Sequence, residues 1–271
     1  MDTGRAGRRT GTPALTFTPA ERRLIARLRT PLAVQLYLNA LPYNTEPPPG
    51  RATLRSFRGV VRHHTAHCLE AALFAATVLE QHGYPPLVIS FESIDELDHV
   101  IFVYQKRGRE SFSRAAGEKD SRPLFWGSVA RSRDPGLHGR KPVFATPGAL
   151  ASSYLDTYVD LTGRVEAFAL VDLRVMGDYD WRLSGKNVWK VERVLLDTPH
   201  QPLPMPETRF RDFRARYRAF KAQHPDRKPL FYEGRDTWTP IPAGFLRSLP
   251  RRRVAKAGSR EGGSPHGRRR V

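Results

Sequence analysis

Two residue types at one spacing carry the chemistry that this chain can offer. Cys68, the sole cysteine, opens a long apolar run, and His99 heads a later one that reads H-V-I-F-V-Y. A thiol nucleophile needs a base beside it to take and return a proton, and that base needs an acceptor to orient it. A helix, a turn and one antiparallel strand fill the interval between Cys68 and His99, so a fold can bring the two together. The competing reading makes Cys68 a small buried core thiol and His99 a surface residue at a strand end. His67 is read only as a neighbour of the cysteine in sequence.

A second grouping is His63, His64, His67 and Cys68. On one helix, His63 with His67 or His64 with Cys68 would stand four residues apart, a spacing that can ligate zinc. No second ligand cluster accompanies them and His138 is isolated, so neither a metal nor a cofactor is assigned. A third grouping is the Arg- and aromatic-rich stretch from Glu207 to Gln223. Interleaved basic and aromatic side chains can bind single-stranded nucleic acid. However, Phe210, Phe213, Tyr217 and Phe220 share one helical face, the usual way to dock a helix on a core.

The elements that must position these groups follow from periodicity. Thr65–Gly83 reads as a helix with Leu69, Ala72, Leu73, Ala76 and Leu79 on one face and further apolar residues around it, the pattern of a buried helix. Thr65 is its expected cap, Glu70 suits the first turn, and Gly83 closes it before Pro85-Pro86. Cys68 then lies in the first turn, where free N–H groups and the dipole favour thiolate. Upstream, Thr18-Pro19-Ala20-Glu21 and Thr30-Pro31 start two helices, and residues 52–64 are ambiguous. Downstream, Leu87–Phe91, His99–Tyr104 and Leu124–Ala130 read as strands, the first two covered on both faces. Lys106–Pro123 reads as a flap or insertion. Thr146-Pro147 opens a helix to about Asp160, Phe168–Val175 reads as a strand, and Asn187–Leu196 has an ambiguous period. This order predicts an α+β fold in which the cysteine-bearing helix packs on an antiparallel sheet, with extra helices at both ends.

At 271 residues the chain can bury a core. One domain over 18–249 is expected, between a basic N-terminus (1–17) and an Arg-rich tail (250–271), both disordered. The net charge is +18, of which the tail, with eight Lys and Arg against Glu261, supplies +7. That favours non-specific polyanion binding through the tail. A lone cysteine fits a reducing compartment, and no signal peptide or membrane span is visible, so a cytoplasmic protein is expected.

The motifs together resemble the transglutaminase-like superfamily, and more narrowly a bacterial branch of it. Thr65-Ala66-His67-Cys68 opens an Ala-rich helix, Asp98-His99 starts a hydrophobic strand, and Trp126-Gly127-Ser128 lies in the next. Gln35-Leu36-Tyr37-Leu38, Leu41-Pro42-Tyr43-Asn44 and Gly139-Arg140-Lys141-Pro142-Val143-Phe144 are also similar to that branch. The likeness covers roughly residues 30 to 160. It implies a papain-like core in which Cys68 matches the family nucleophile and His99 the family base. It also implies an amide or peptide substrate, turned over by a hydrolase or acyltransferase, or an inactive relative acting as a basic interaction module. The family's Asp usually follows the aromatic of the second strand; here Gly127, Ser128, Val129 and Ala130 stand there and Asp134 is the next carboxylate, so the resemblance leaves Asp134, Ser128 or no third member as the orienting acceptor.

Overall fold

Threonine followed by proline starts three of the helices, because the hydroxyl satisfies a free N–H and proline has none to lose. In the computed structural model, Thr18 caps α1 (Pro19–Arg27), Thr30 caps α2 (Pro31–Ala40) and Thr146 caps α5 (Pro147–Ser152), each hydroxyl accepting an N–H from three residues on. The structure describes residues 15–46, 52–95, 98–108, 122–160 and 163–246. Most of the expected Lys106–Pro123 insertion and the tail lie outside these. Phe17, assigned from sequence to the basic N-terminus, is buried edge-on against Phe57, with ring centroids 5.9 Å apart.

Within the ambiguous stretch, Ser56 caps α3 (Phe57–His63), which ends where His64 turns left-handed at φ 53°. The cysteine helix, α4, spans Cys68–Glu80. Its cap is His67 rather than Thr65, whose hydroxyl instead accepts from Arg55 at 2.6 Å. Every residue from Ala71 to Leu79 is buried. Burying a Leu, Phe or Val side chain stabilises by about 1.5–3 kcal/mol, so this helix is an anchor that fixes its own first turn. Gly83 follows at φ 84°, in the left-handed region that ends a helix at little cost.

The sheet is antiparallel throughout, in the order β3-β2-β1-β4-β5. Its strands are β1 (Leu87–Ser93), β2 (His99–Arg107), β3 (Leu124–Val129), β4 (Val165–Asp172) and β5 (Gln201–Pro202). Both faces are covered, which explains the unbroken apolar runs of β1 and β2. Val88, Val100 and Phe102 face the core that contains α4. Ile89, Phe91, Ile101 and Val103 face a second core with Tyr154 and Tyr158.

Three expectations shift in detail. The helix after Thr146 breaks into α5 and α6 (Leu155–Tyr158). Ser152 and Ser153 donate back to the carbonyls of Gly148 and Leu150, a competition that bends helices. The fourth strand starts earlier than Phe168 and ends at Asp172, whose carboxylate accepts Arg174 N–H and starts a 3-10 turn over Leu173–Met176. The ambiguous segment near Asn187 contains α7 (Trp189–Asp197). As expected, α8 spans Glu207–Gln223; it buries Phe210, Phe213 and Tyr217, the two phenylalanines in a third cluster with Tyr232 and Trp238. Its aromatics therefore dock it, and a short α9 (Ala243–Leu246) follows. Among the described residues, no helix is long and apolar enough to cross a membrane.

Candidate functional site

The first turn of α4 and the head of β2 meet because the two elements pack directly on each other. Cys68 is the first residue of α4 and is half-buried. Its sulfur hydrogen-bonds two imidazoles, those of His67 and His99. Burial alone would push the thiol up. The hydrogen bonds from His67 and His99, with the charges of both rings, outweigh it and hold the thiol well below its ordinary value.

His99 is buried at 3% exposure and stacks on Phe91, with the rings 12° from parallel. Its Nε2 lies 2.9 Å from the carbonyl oxygen of Leu137. A carbonyl only accepts, so Nε2 must carry a proton, and Nδ1 is the nitrogen left for the sulfur.

The Leu137 carbonyl is held by a 3-10 turn over Pro135–Leu137. Asp134 caps that turn, accepting Gly136 N–H at 3.2 Å, and sits 3.8 Å from Lys228 Nζ. Burial raises the Asp134 carboxyl, against the opposing charge of Lys228. It lines the same cavity as Cys68 and His99 but makes no hydrogen bond to His99 among the contacts of the described residues. Ser128 is also elsewhere: its hydroxyl accepts Arg140 N–H at 2.8 Å and pairs with the Tyr154 hydroxyl.

Arg140 is wholly buried and closes the turn from behind. It donates to the carbonyls of Gly136 (2.7 Å) and His138 (2.8 Å), the residues on either side of Leu137. Its remaining hydrogen-bond partners are the hydroxyl and carbonyl of Ser153, and its guanidinium lies 4.0 Å from the Tyr154 ring centre. Every hydrogen-bond partner is therefore a neutral oxygen. Burial lowers Arg140 to about 10, which leaves it charged at neutral pH. Gly139 between them is required by space, since a Cβ there would stand 2.4 Å from Gln35 Oε1 and from the Ser128 carbonyl oxygen.

His67 takes a larger part than the sequence reading gave it. Its Nε2 lies 2.9 Å from the Thr53 carbonyl and 3.6 Å from Glu70 Oε1. Burial lowers this imidazole, but the hydrogen bond to Cys68, the charges of Cys68 and Glu70, and the Thr53 carbonyl raise it to about 9. Tyr43 stands on the other side of the cysteine, its hydroxyl accepting the Cys68 N–H. Burial and the charge of Cys68 push that phenol up, so it is neutral. The cavity shared by Tyr43, Cys68, His99 and Asp134 is about 460 Å³.

The zinc spacing is not met on one helix. His63 and His64 end α3, exposed, whereas Cys68 begins α4 after a break. Among the described residues, no group of three or more His, Cys, Asp or Glu is placed to hold a metal ion.

Sequence reasoning missed Leu137, Arg140 and the role of His67. A backbone acceptor has no side-chain signature, although Asp134-Pro135-Gly136 is a turn signal. The His67–Glu70 spacing at a helix start was a usable signal for the second imidazole. No family model matches this chain, and no curated protein matches it either.

Proposed function

We propose that this protein is a cysteine-dependent amide hydrolase or acyltransferase of the transglutaminase-like type, built on a papain-like core and working in a reducing compartment. The observation that carries the reading is the line Cys68–His99–Leu137 O: an activated sulfur, a base, and an acceptor that fixes the base's tautomer. An inactive interaction module on the same fold has no need of a substitute acceptor behind His99, and the Leu137 carbonyl is one.

In this reading the Cys68 thiolate attacks the carbonyl carbon, forming the C–S bond while the carbonyl electron pair moves to oxygen. The neutral Tyr43 hydroxyl, which accepts the Cys68 N–H, keeps its own proton to donate to that oxyanion. Collapse breaks the C–N bond, and the leaving amine takes a proton from His99. Water or a second amine then attacks the thioester, gives its proton to His99, and releases the thiolate.

Intact-mass spectrometry with p-nitrophenyl acetate tests the reading. The expected result is a single acetyl group on the wild type, absent in Cys68→Ala, with slowed formation and release in His99→Gln. A folded wild type that is never acylated would overturn it.

A further inference from the structure

We propose that His67, backed by the buried carboxylate of Glu70, is a second catalytic imidazole that holds the charge of the Cys68 thiolate and leaves His99 free to carry the proton. This rests on the cysteine-nucleophile reading above and divides between two rings the work that one histidine does in a simple Cys–His pair.

The geometry sets the two rings apart. Both place Nε2 against a backbone carbonyl, Thr53 for His67 and Leu137 for His99, and both rings reach the Cys68 side chain. They lie on different sides of it. His99 lines the cavity with Tyr43 and Asp134, whereas His67 lines a separate one of about 490 Å³ with Leu69, Val100 and Leu195. Cys68 borders both.

The support behind the rings also differs. His99 rests on a neutral carbonyl. His67 has Glu70 at 3.6 Å, and Glu70 is fully buried and pinned by four donors. These are Asn44 Nδ2 (3.1 Å), Thr53 Oγ1 (2.9 Å), Arg55 N–H (3.0 Å) and His67 N–H (3.1 Å). The other charged groups around His67 are Asp98 and Glu192 at the rim of its cavity, and Arg55, whose Nη1 is 3.9 Å from Glu70. Tyr43 faces the sulfur from the far side. Carboxylates outnumber cations here, so the surroundings favour imidazolium, in line with the rise of His67 to about 9.

The consequence for the cycle is specific. When His99 gives its proton to the leaving amine, a thiolate paired with His99 alone would lose its counter-charge. With His67 protonated throughout, the sulfur keeps one. When water later attacks the thioester, His99 takes the new proton, the C–S bond breaks, and its electron pair returns to a sulfur that is already compensated. His67 neither gains nor loses a proton in the cycle, and Glu70 acts through it as a positioning residue.

Cys68 alkylation by iodoacetamide, followed from pH 4 to 10 in wild type, His67→Gln and His99→Gln, tests this alongside p-nitrophenyl acetate turnover. In His67→Gln the thiol midpoint should rise by a unit or more, so that reactivity at pH 6 falls roughly tenfold or further. In His99→Gln alkylation should move less, while turnover is lost. A folded His67→Gln protein whose profile coincides with wild type would overturn the proposal. If that variant does not fold, imidazole NMR titration of wild type and Cys68→Ser decides. His67 should stay protonated above pH 8 only when the thiol is present, and titration near pH 6.5 in the wild type would equally overturn the proposal. A wild type that alkylates as described but is never acylated would sink the amidase reading alone.

Discussion

Nε2 of His99 stands 2.9 Å from the carbonyl oxygen of Leu137, so the acceptor that orients this imidazole is part of the main chain. The arrangement is enforced from both flanks. Arg140 draws the carbonyls of Gly136 and His138 to itself, and the carbonyl between them is the one that meets His99.

Asp134 then acts on His99 only through the turn that it caps. Asp134→Asn retains an acceptor for Gly136 N–H and should keep turnover within tenfold of wild type. Asp134→Ala should lose about 1 kcal/mol of stability, the worth of one hydrogen bond, by urea titration. A folded Asp134→Asn protein with no turnover would make the carboxylate itself the orienter.

Tyr43→Phe removes a donor beside the Cys68 N–H without altering the half-buried ring. Loss of one donor to a developing oxyanion costs roughly 10²–10³ in kcat. A drop of that order with unchanged Cys68 alkylation is expected. Equal losses in alkylation and turnover would instead assign Tyr43 to the thiolate.

Arg140→Met should leave the Gly136 and His138 carbonyls without their donor in a buried setting. Each such orphaned group costs about 1–3 kcal/mol, so urea unfolding should show a loss of several kcal/mol. Arg140→Lys should recover little, because an ammonium cannot span two carbonyls with a planar fork. A fully stable Arg140→Met would show that the turn holds itself.

His138 makes stability depend on acid. Burial, with the charge of Arg131, lowers this imidazole to about 3. Its folded value lies below its unfolded value near 6.5, so the unfolded chain binds a proton first as pH falls. The contribution is present above about pH 6.5 and is lost progressively towards pH 3. Thermal melts should fall over this window, and more shallowly in His138→Gln. Parallel slopes in the two proteins would assign the acid sensitivity elsewhere.

Much of the frame was legible from sequence because it obeys local rules. The three Thr-Pro starts, the apolar circumference of α4 and the docking face of α8 all follow from spacing alone. Cys68 and His99 were legible because the proposed nucleophile and base are side chains. What stayed hidden was set by tertiary contacts. The cap of α4 moved from Thr65 to His67 because Arg55 takes the Thr65 hydroxyl and Glu70 takes the His67 N–H. His67 looked like a bystander because its link to the sulfur depends on Thr53 and Glu70 turning its ring.

Since the oxygen behind His99 belongs to the backbone, the side chain at position 137 is released from the proposed reaction. The chemistry constrains its neighbours instead: Gly139, where no Cβ fits, and Arg140, whose reach to two carbonyls fixes the path of the chain. On the proposed mechanism, substitution could therefore abolish turnover without touching any group that handles a proton, by letting one peptide plane rotate.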